Sequence, residues 1–226
     1  RSEFVSNVSH ELKTPMTSMK VLADSLVGQQ GVPEDLYQEF MRDITAEIDR
    51  ENRIITDLLT LVKMDKKNAD LQIQHMSINQ LLEDILKRLR PIADKRNIDL
   101  ILDSFRPVEA DVDELKFTSA ISNLVENAIK YNVDDGWVRV SLDADHKFFY
   151  VTVADSGMGI PEDSLSRIFE RFYRVDKSHS REIGGTGLGL AITRSTIGMH
   201  HGVIKVFSKE GEGTTFSVRV PLSYIP

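Results

Sequence analysis

The sequence predicts two domains: an all-α helical hairpin that dimerises into a four-helix bundle, followed by an α/β two-layer sandwich. Three observations carry this. The first third of the chain repeats apolar residues at three- and four-residue steps over two long stretches. The remainder mixes short alternating runs with helical ones, the grammar of helices packed on one sheet face. Between them, around Lys66–Gln74, the periodicity lapses into a polar stretch. On this reading residues 1–68 form the hairpin, 69–76 the linker and 77–226 the second domain.

In the first helix, Phe4–Val27, the apolar positions are Val5, Val8, Leu12, Met16, Met19, Leu22 and Leu26. Gly28, Gly31 and Pro33 break the pattern, and Pro33 suits the start of a new helix. The second run carries Leu36, Phe40, Ile44, Ile48, Ile55, Leu58 or Leu59, and Val62, longer than an ordinary globular helix. Two helices alone cannot bury such a stripe, whereas two copies of the hairpin can, so a homodimer is expected. Beyond the linker the pattern predicts a helix over Asn79–Lys95, kinked or broken at Pro91, and a strand at Ile98–Leu102. A helix follows at Val112–Tyr131, then strands Val138–Leu142 and Phe148–Ala154 joined by the tight polar link Asp143–Lys147. A helix near Leu190–His200 and a strand pair, Val203–Ser208 and Thr215–Val220, turning on Glu210–Gly213, complete the reading.

Composition narrows the function. The 226 residues are 41% hydrophobic, enough for a real core. A net charge of −7 leaves a nucleic-acid partner no electrostatic footprint. With no cysteine, disulfides, thiolate nucleophiles and zinc–thiolate sites are excluded. No apolar run reaches the roughly 20 residues that cross a bilayer, so no membrane contact is expected from this stretch itself. The chain opens at Arg1 inside a helical pattern, which reads as a fragment of something longer.

The most informative segment is Phe4-Val5-Ser6-Asn7-Val8-Ser9-His10-Glu11-Leu12-Lys13-Thr14-Pro15. His10 and Thr14 are four apart and share a helix face. A neutral imidazole attacks through one nitrogen when the other holds the proton, and a nearby carboxylate such as Glu11 can fix that tautomer. Pro15 removes the helical hydrogen bond to the Glu11 carbonyl and predicts a bend just past the histidine. A His-Glu-x-x-His zinc site is ruled out because position 14 is Thr. This segment closely resembles the H-box of histidine kinases of the main HisKA type. That resemblance implies His10 as phosphoacceptor, Glu11 as its proton-accepting partner, and Thr14 as the residue that positions water for dephosphorylating the partner protein.

Further along, Asn123 and Asn127 share a helix face, and two amide oxygens there suit a hard cation such as Mg²⁺; Lys130 adds a charge for phosphate. Asp155-Ser156-Gly157-Met158-Gly159 follows a strand, where a carboxylate can accept from an adenine amino group and the glycines let backbone approach the ring. Gly184-Gly185-Thr186-Gly187-Leu188-Gly189-Leu190 leads into a helix and offers backbone N–H groups to phosphates. It is neither a Rossmann nor a Walker pattern, and the His-Arg-Asp signature of eukaryotic-type kinases is missing. Between the glycine motifs, Ile168–Arg174 with Lys177 and Arg181 sets aromatic anchors among cations, as in a lid over a triphosphate.

In this order the motifs resemble the N-, G1-, F-, G2- and G3-boxes of histidine kinases, with Glu210–Thr214 as the last, and the resemblance covers nearly the whole chain. It implies that the second domain is an ATP-binding domain of the histidine kinase, gyrase and chaperone ATPase type. It further implies ATP and Mg²⁺ as cofactors, Asn127 as metal ligand, Asp155 as adenine contact, and Lys130, Arg171 and Arg174 as phosphate contacts. Tyr131 packs near the nucleotide; Gly157, Gly159, Gly185, Gly187 and Gly189 are backbone-approach positions, with Asn123, Thr186 and Leu188 in the same site. The implied activity is autophosphorylation of His10 from ATP and transfer to an Asp of a response regulator, with phosphatase activity toward that regulator. The implied setting is the cytoplasmic portion of a membrane-anchored bacterial sensor.

Asn132-Val133 departs from the family's usual Ser or Thr followed by Pro. A stand-alone ATPase of the same fold would need a Glu base where Asn123 stands. A degenerate docking scaffold would not need Asn127, Asp155 and the glycine loops intact.

Overall fold

The structure, a computed structural model, describes residues 2–65, 71–175 and 185–226. The hairpin is α1 (Ser2–Val27) and α2 (Glu34–Met64). Pro33 precedes α2, Glu34 and Asp35 occupy its first turn and Lys63 its last, a charge order that favours the helix dipole. α1 remains one helix through Pro15, which is buried within the hairpin, so the expected bend does not interrupt the element. Ile54 and Leu61 are fully buried in α2, yet Leu36, Ile48, Ile55, Leu59 and Val62 keep 38–56% of their surface. The apolar stripe is wider than one hairpin can cover.

The second domain begins inside the stretch read as linker. β1 (Ile73–Ser77) pairs antiparallel with β3 (Glu109–Asp113), Ile73 opposite Asp113 and Ser77 opposite Glu109. The helix expected from Val112 therefore starts two residues later. Val112 and Asp113 close β3, and Asp113 then caps α4 (Glu114–Lys130) by accepting from Lys116 N at 3.0 Å. α3 (Ile78–Asp94), capped by Ser77, runs unbroken through Pro91. Pro91 is exposed while Leu82, Ile85, Leu86, Leu89 and Ala93 bury a stripe on both sides of it, and that burial outweighs one lost backbone bond.

The main sheet has the order β2-β4-β5-β7-β6, from β2 (Asp99–Ser104), β4 (Trp137–Ala144), β5 (Phe148–Asp155), β7 (Gly213–Pro221) and β6 (Val203–Lys209). Only β2 and β4 run parallel. The β4–β5 turn is fixed by Asp145, which accepts from Lys147 N, Phe148 N and the Tyr150 hydroxyl; these donors hold its carboxyl down at about 2. Val138, Val140, Leu142, Phe149, Val151 and Val153 bury one face of the sheet. The short α5 (Glu162–Leu165) follows β5, and against the sheet pack α3, α4 and α6 (Gly189–Met199), as the two-layer prediction requires. Phe117 of α4 sits fully buried at the centre, edge-on to Phe149 and His200. Phe117→Ala should cost about 3–5 kcal/mol of domain stability, read by urea denaturation.

Candidate active site

His10 stands on α1 with 78% of its side chain exposed, and Glu11 Oε1 lies 3.9 Å from its Nδ1. That is an electrostatic contact, longer than a hydrogen bond. Thr14 Oγ1 donates to the His10 carbonyl at 3.0 Å, so both share the face the sequence predicted.

The second cluster lies where α4, the loop after β5 and the start of α6 meet. A Cβ on Gly185 would lie 3.2 Å from Lys130 Nζ, 3.8 Å from Arg174 Nη2 and 3.9 Å from the Tyr131 hydroxyl, so these four residues converge. Burial, then the like charges of Arg174 and Arg53, lowers the Lys130 ammonium to about 8. An arriving polyanion would reverse the charge part of that shift. Burial also pushes the Tyr131 phenol up. Asn127 lies on α4 four residues after Asn123 and three before Lys130, on the same helical stripe as both. Asn123 itself is taken up in helix packing. Its amide donates to Thr193 Oγ1 at 3.0 Å, and Gly189 has no room for a Cβ against its oxygen.

Asp155 ends β5, half-buried, and its Oδ1 accepts from Gly157 N at 2.7 Å and Thr214 N at 3.3 Å. Burial outweighs these two donors and raises the carboxyl to about 6. Gly157 is pinned between the Tyr131 carbonyl and Asp155, where a Cβ would collide with both. Gly187, at φ 71°, accepts from Phe172 N at 2.9 Å, which ties the aromatic segment to the glycine loop. The structure thus brings together Lys130, Tyr131, Asp155, Gly157, Arg174, Gly185 and Gly187, while Asn127 stands one turn before Lys130 on α4. Arg171 and Thr186 face α2 instead: Arg171 Nη2 meets both oxygens of Asp65 at 2.9 Å, and Thr186 Oγ1 donates to Asp57 at 2.6 Å. Leu188 is buried at the start of α6, its N–H reaching Thr186 Oγ1 at 3.2 Å. Gly159, at φ 70°, lies against the Lys209 carbonyl. Gly184, Lys177 and Arg181 lie outside the described residues.

Two structural supports were not visible in the motifs. Arg96 places its guanidinium on the carbonyls of Ile129, Lys130 and Asn132, at 2.7–3.1 Å, and pairs with Asp134, capping the end of α4 that carries Lys130 and Tyr131. Asn132 is buried and fully bonded: it donates to the Ala128 and Trp137 carbonyls and accepts from Val133 N and Ser156 Oγ. The departure from Ser/Thr-Pro therefore builds its own brace between α4 and the Asp155 loop. Among the described residues no group of three or more His, Asp or Glu could hold a metal by itself. No helix among them is long and apolar enough to cross a membrane.

Two family models match the chain. Residues 1–67 match the His Kinase A (phospho-acceptor) domain, and residues 112–224 the histidine kinase-, DNA gyrase B- and HSP90-like ATPase. The chain is 35% identical over 224 residues to the sensor histidine kinase WalK of Bacillus subtilis, covering 98% of this chain and 36% of WalK. It is 36% identical over 221 residues to the sensor-like histidine kinase SenX3 of Mycolicibacterium smegmatis, covering 98% of this chain and 57% of that protein. The chain thus spans between about a third and about a half of the length of these curated relatives. Among solved structures, histidine kinase ThkA in complex with response regulator protein TrrA superposes with a TM-score of 0.80 at 24% identity, over 97% of this chain and 61% of that one. With an exposed histidine on a helical hairpin, a glycine-framed cation cluster in the following α/β domain, and both domains matched in that order, the chain belongs to the sensor histidine kinase family.

Proposed function

We propose that this chain transfers the γ-phosphoryl group of ATP to His10 and then to an Asp of a response regulator. The observation that carries the reading is the pairing of one exposed, carboxylate-flanked histidine with the convergent Lys130–Arg174–Gly185 cluster in the same chain. Adenine would be read by the Asp155 carboxylate, accepting from its amino group, with Gly157 letting the ring approach backbone. Lys130 and Arg174 would take the phosphate charge, with Arg171 joining them when its pairing with Asp65 is released. The Asn127 amide oxygen would hold Mg²⁺, which supplies charge neutralisation on the phosphates when bound.

In the transfer, the unprotonated His10 nitrogen forms the P–N bond as the bond to the β–γ bridging oxygen breaks and ADP leaves. The imidazole proton passes to Glu11, whose oxygen lies 3.9 Å away. The phosphoryl group then moves to the regulator's carboxylate. A solved structure of the same fold, ThkA, is in complex with a response regulator protein, which supports that class of partner. The exposed apolar stripe of α1 and α2 supports a homodimer joined through the hairpin. The likeness to proteins named sensor histidine kinase and sensor-like histidine kinase supports the chain's being the catalytic portion of a sensor.

The test is to load the chain with ATP, remove nucleotide, and add a receiver domain. Label moving from the chain to the receiver is the expected result; label that stays on the chain would refute the second step. Phosphatase activity is proposed for Thr14, whose hydroxyl sits on the His10 face and retains lone pairs to orient a water. Thr14→Ala should leave autophosphorylation within about twofold while slowing regulator dephosphorylation about 100-fold, the low end of what one positioned proton-transfer group contributes. Equal loss of both would instead make Thr14 a structural residue.

A further inference from the structure

Two of the residues assigned above to the nucleotide site touch the hairpin. Thr186 Oγ1, on the glycine loop, donates to Asp57 Oδ2 at 2.6 Å, and Arg171 Nη2 lies 2.9 Å from both oxygens of Asp65. Asp57 lies in α2 and Asp65 caps its C-terminal end, and a carboxylate offers Arg and hydroxyl donors the same charged oxygens as a phosphate. The contact has an apolar seal from α1: Phe4 packs on Phe172 with ring centroids 6.1 Å apart, and the Arg171 guanidinium lies 5.1 Å over the Phe4 ring. Phe172 N donates to the Gly187 carbonyl, so the two loops engaged by α2 are themselves joined. Asp57 is half-buried here, and burial raises its pKa against the pull of Thr186 and Arg53, as for a carboxylate enclosed by a docked surface.

We propose that the C-terminal end of α2, with Asp57 and the capping residue Asp65, is a docking surface for the phosphate end of this chain's own nucleotide site. Its carboxylates and a nucleotide's phosphate oxygens then compete for Thr186 and Arg171. A triphosphate that claims both groups weakens the hold of α2, and the catalytic domain is released from the hairpin as the site fills. Reciprocally, the docked state withholds part of the population from nucleotide and lowers its apparent affinity. This rests on the nucleotide-binding reading of the second domain.

The test is titration calorimetry of a non-hydrolysable ATP analogue with Mg²⁺ on the whole chain. The variants are Asp57→Asn, Asp65→Asn and Phe4→Ala, with circular dichroism melting to confirm folding. All three should bind more tightly than wild type, and the two Asn changes together roughly three- to tenfold, the range expected for surface charge pairs. Phe4→Ala removes the seal without altering charge. If the Asn variants tighten and Phe4→Ala does not, simple charge removal explains the gain and docking competition is overturned. Unchanged or weaker binding in all three also overturns it, while leaving the nucleotide site intact. A wild-type chain that binds no nucleotide defeats the nucleotide reading itself, and this inference with it.

Discussion

His10→Gln should bind ATP as the wild type does and gain no phosphoryl group. His10 is 78% exposed on α1, so the substitution removes a nucleophile without disturbing packing, and stability should change by no more than about 0.5 kcal/mol. An amide nitrogen has no lone pair to offer in place of the imidazole's, so labelling should fall to background. The split between intact binding and abolished labelling is the diagnostic feature. It separates a phosphoacceptor from a residue that holds the fold, because a structural role would move both. Nucleotide affinity by calorimetry and labelling by autoradiography, on the same preparation, provide the two readings.

Asp155→Asn is expected to have the largest effect on binding. On the proposed reading the ionised carboxylate would accept from the adenine amino group, and loss of a charged hydrogen bond costs about 1.5–3 kcal/mol, or roughly 10- to 150-fold in affinity. The pH dependence follows from the same residue. The acceptor must be ionised, and the Asp155 carboxyl titrates at about 6, so wild-type affinity should hold above that value and fall as pH drops through it. One unit below, about a tenth of the sites remain ionised and affinity should be about tenfold weaker; Asp155→Asn should show no such inflection.

Stability should move the other way. The folded-state value lies above the ordinary 3.8, so the stability contributed by this group is full below 3.8 and is lost as pH rises through about 6. At neutral pH the ionised, half-buried carboxylate is therefore a burden, and Asp155→Asn should raise Tm by about 2–4 °C, after discounting for its exposure to solvent. A variant that is more stable yet binds less nucleotide marks a residue held for chemistry.

Much of this was legible before any coordinates. The two helical stripes predicted the hairpin, and their excess width predicted the apolar surface that Leu59 and Val62 still expose. The resemblance to the histidine kinase motifs implied a site shared by Lys130, Tyr131 and Gly185, and the three converge in the fold; no local pattern joins them, because the glycine loop lies far along the chain from the end of α4. β1 and β3 were not legible. β1 interrupts its alternation at Gln74-His75, and β3 alternates over only five residues with Ala110 and Val112 as its apolar positions, too short a signal beside the helix that follows. Arg96 was invisible for another reason: its partners lie 33 to 38 residues away, and a guanidinium before a strand carries no local mark of a helix cap. Asp57 and Asp65 read as ordinary charges on a solvated helix face, and only the approach of Thr186 and Arg171 distinguishes them. Asn132 stood out only as a departure from the family's Ser or Thr, whereas it braces α4 to the Asp155 loop through four hydrogen bonds.

The central claim is that nucleotide held by the second domain phosphorylates a nitrogen of His10. The most direct measurement is incubation of the whole chain with γ-labelled ATP and Mg²⁺, followed by acid and base treatment and mapping of the labelled peptide. A label that survives base, is lost in acid and maps to the peptide containing His10 is the predicted result. A label that survives acid, or that maps to any other residue, would contradict it.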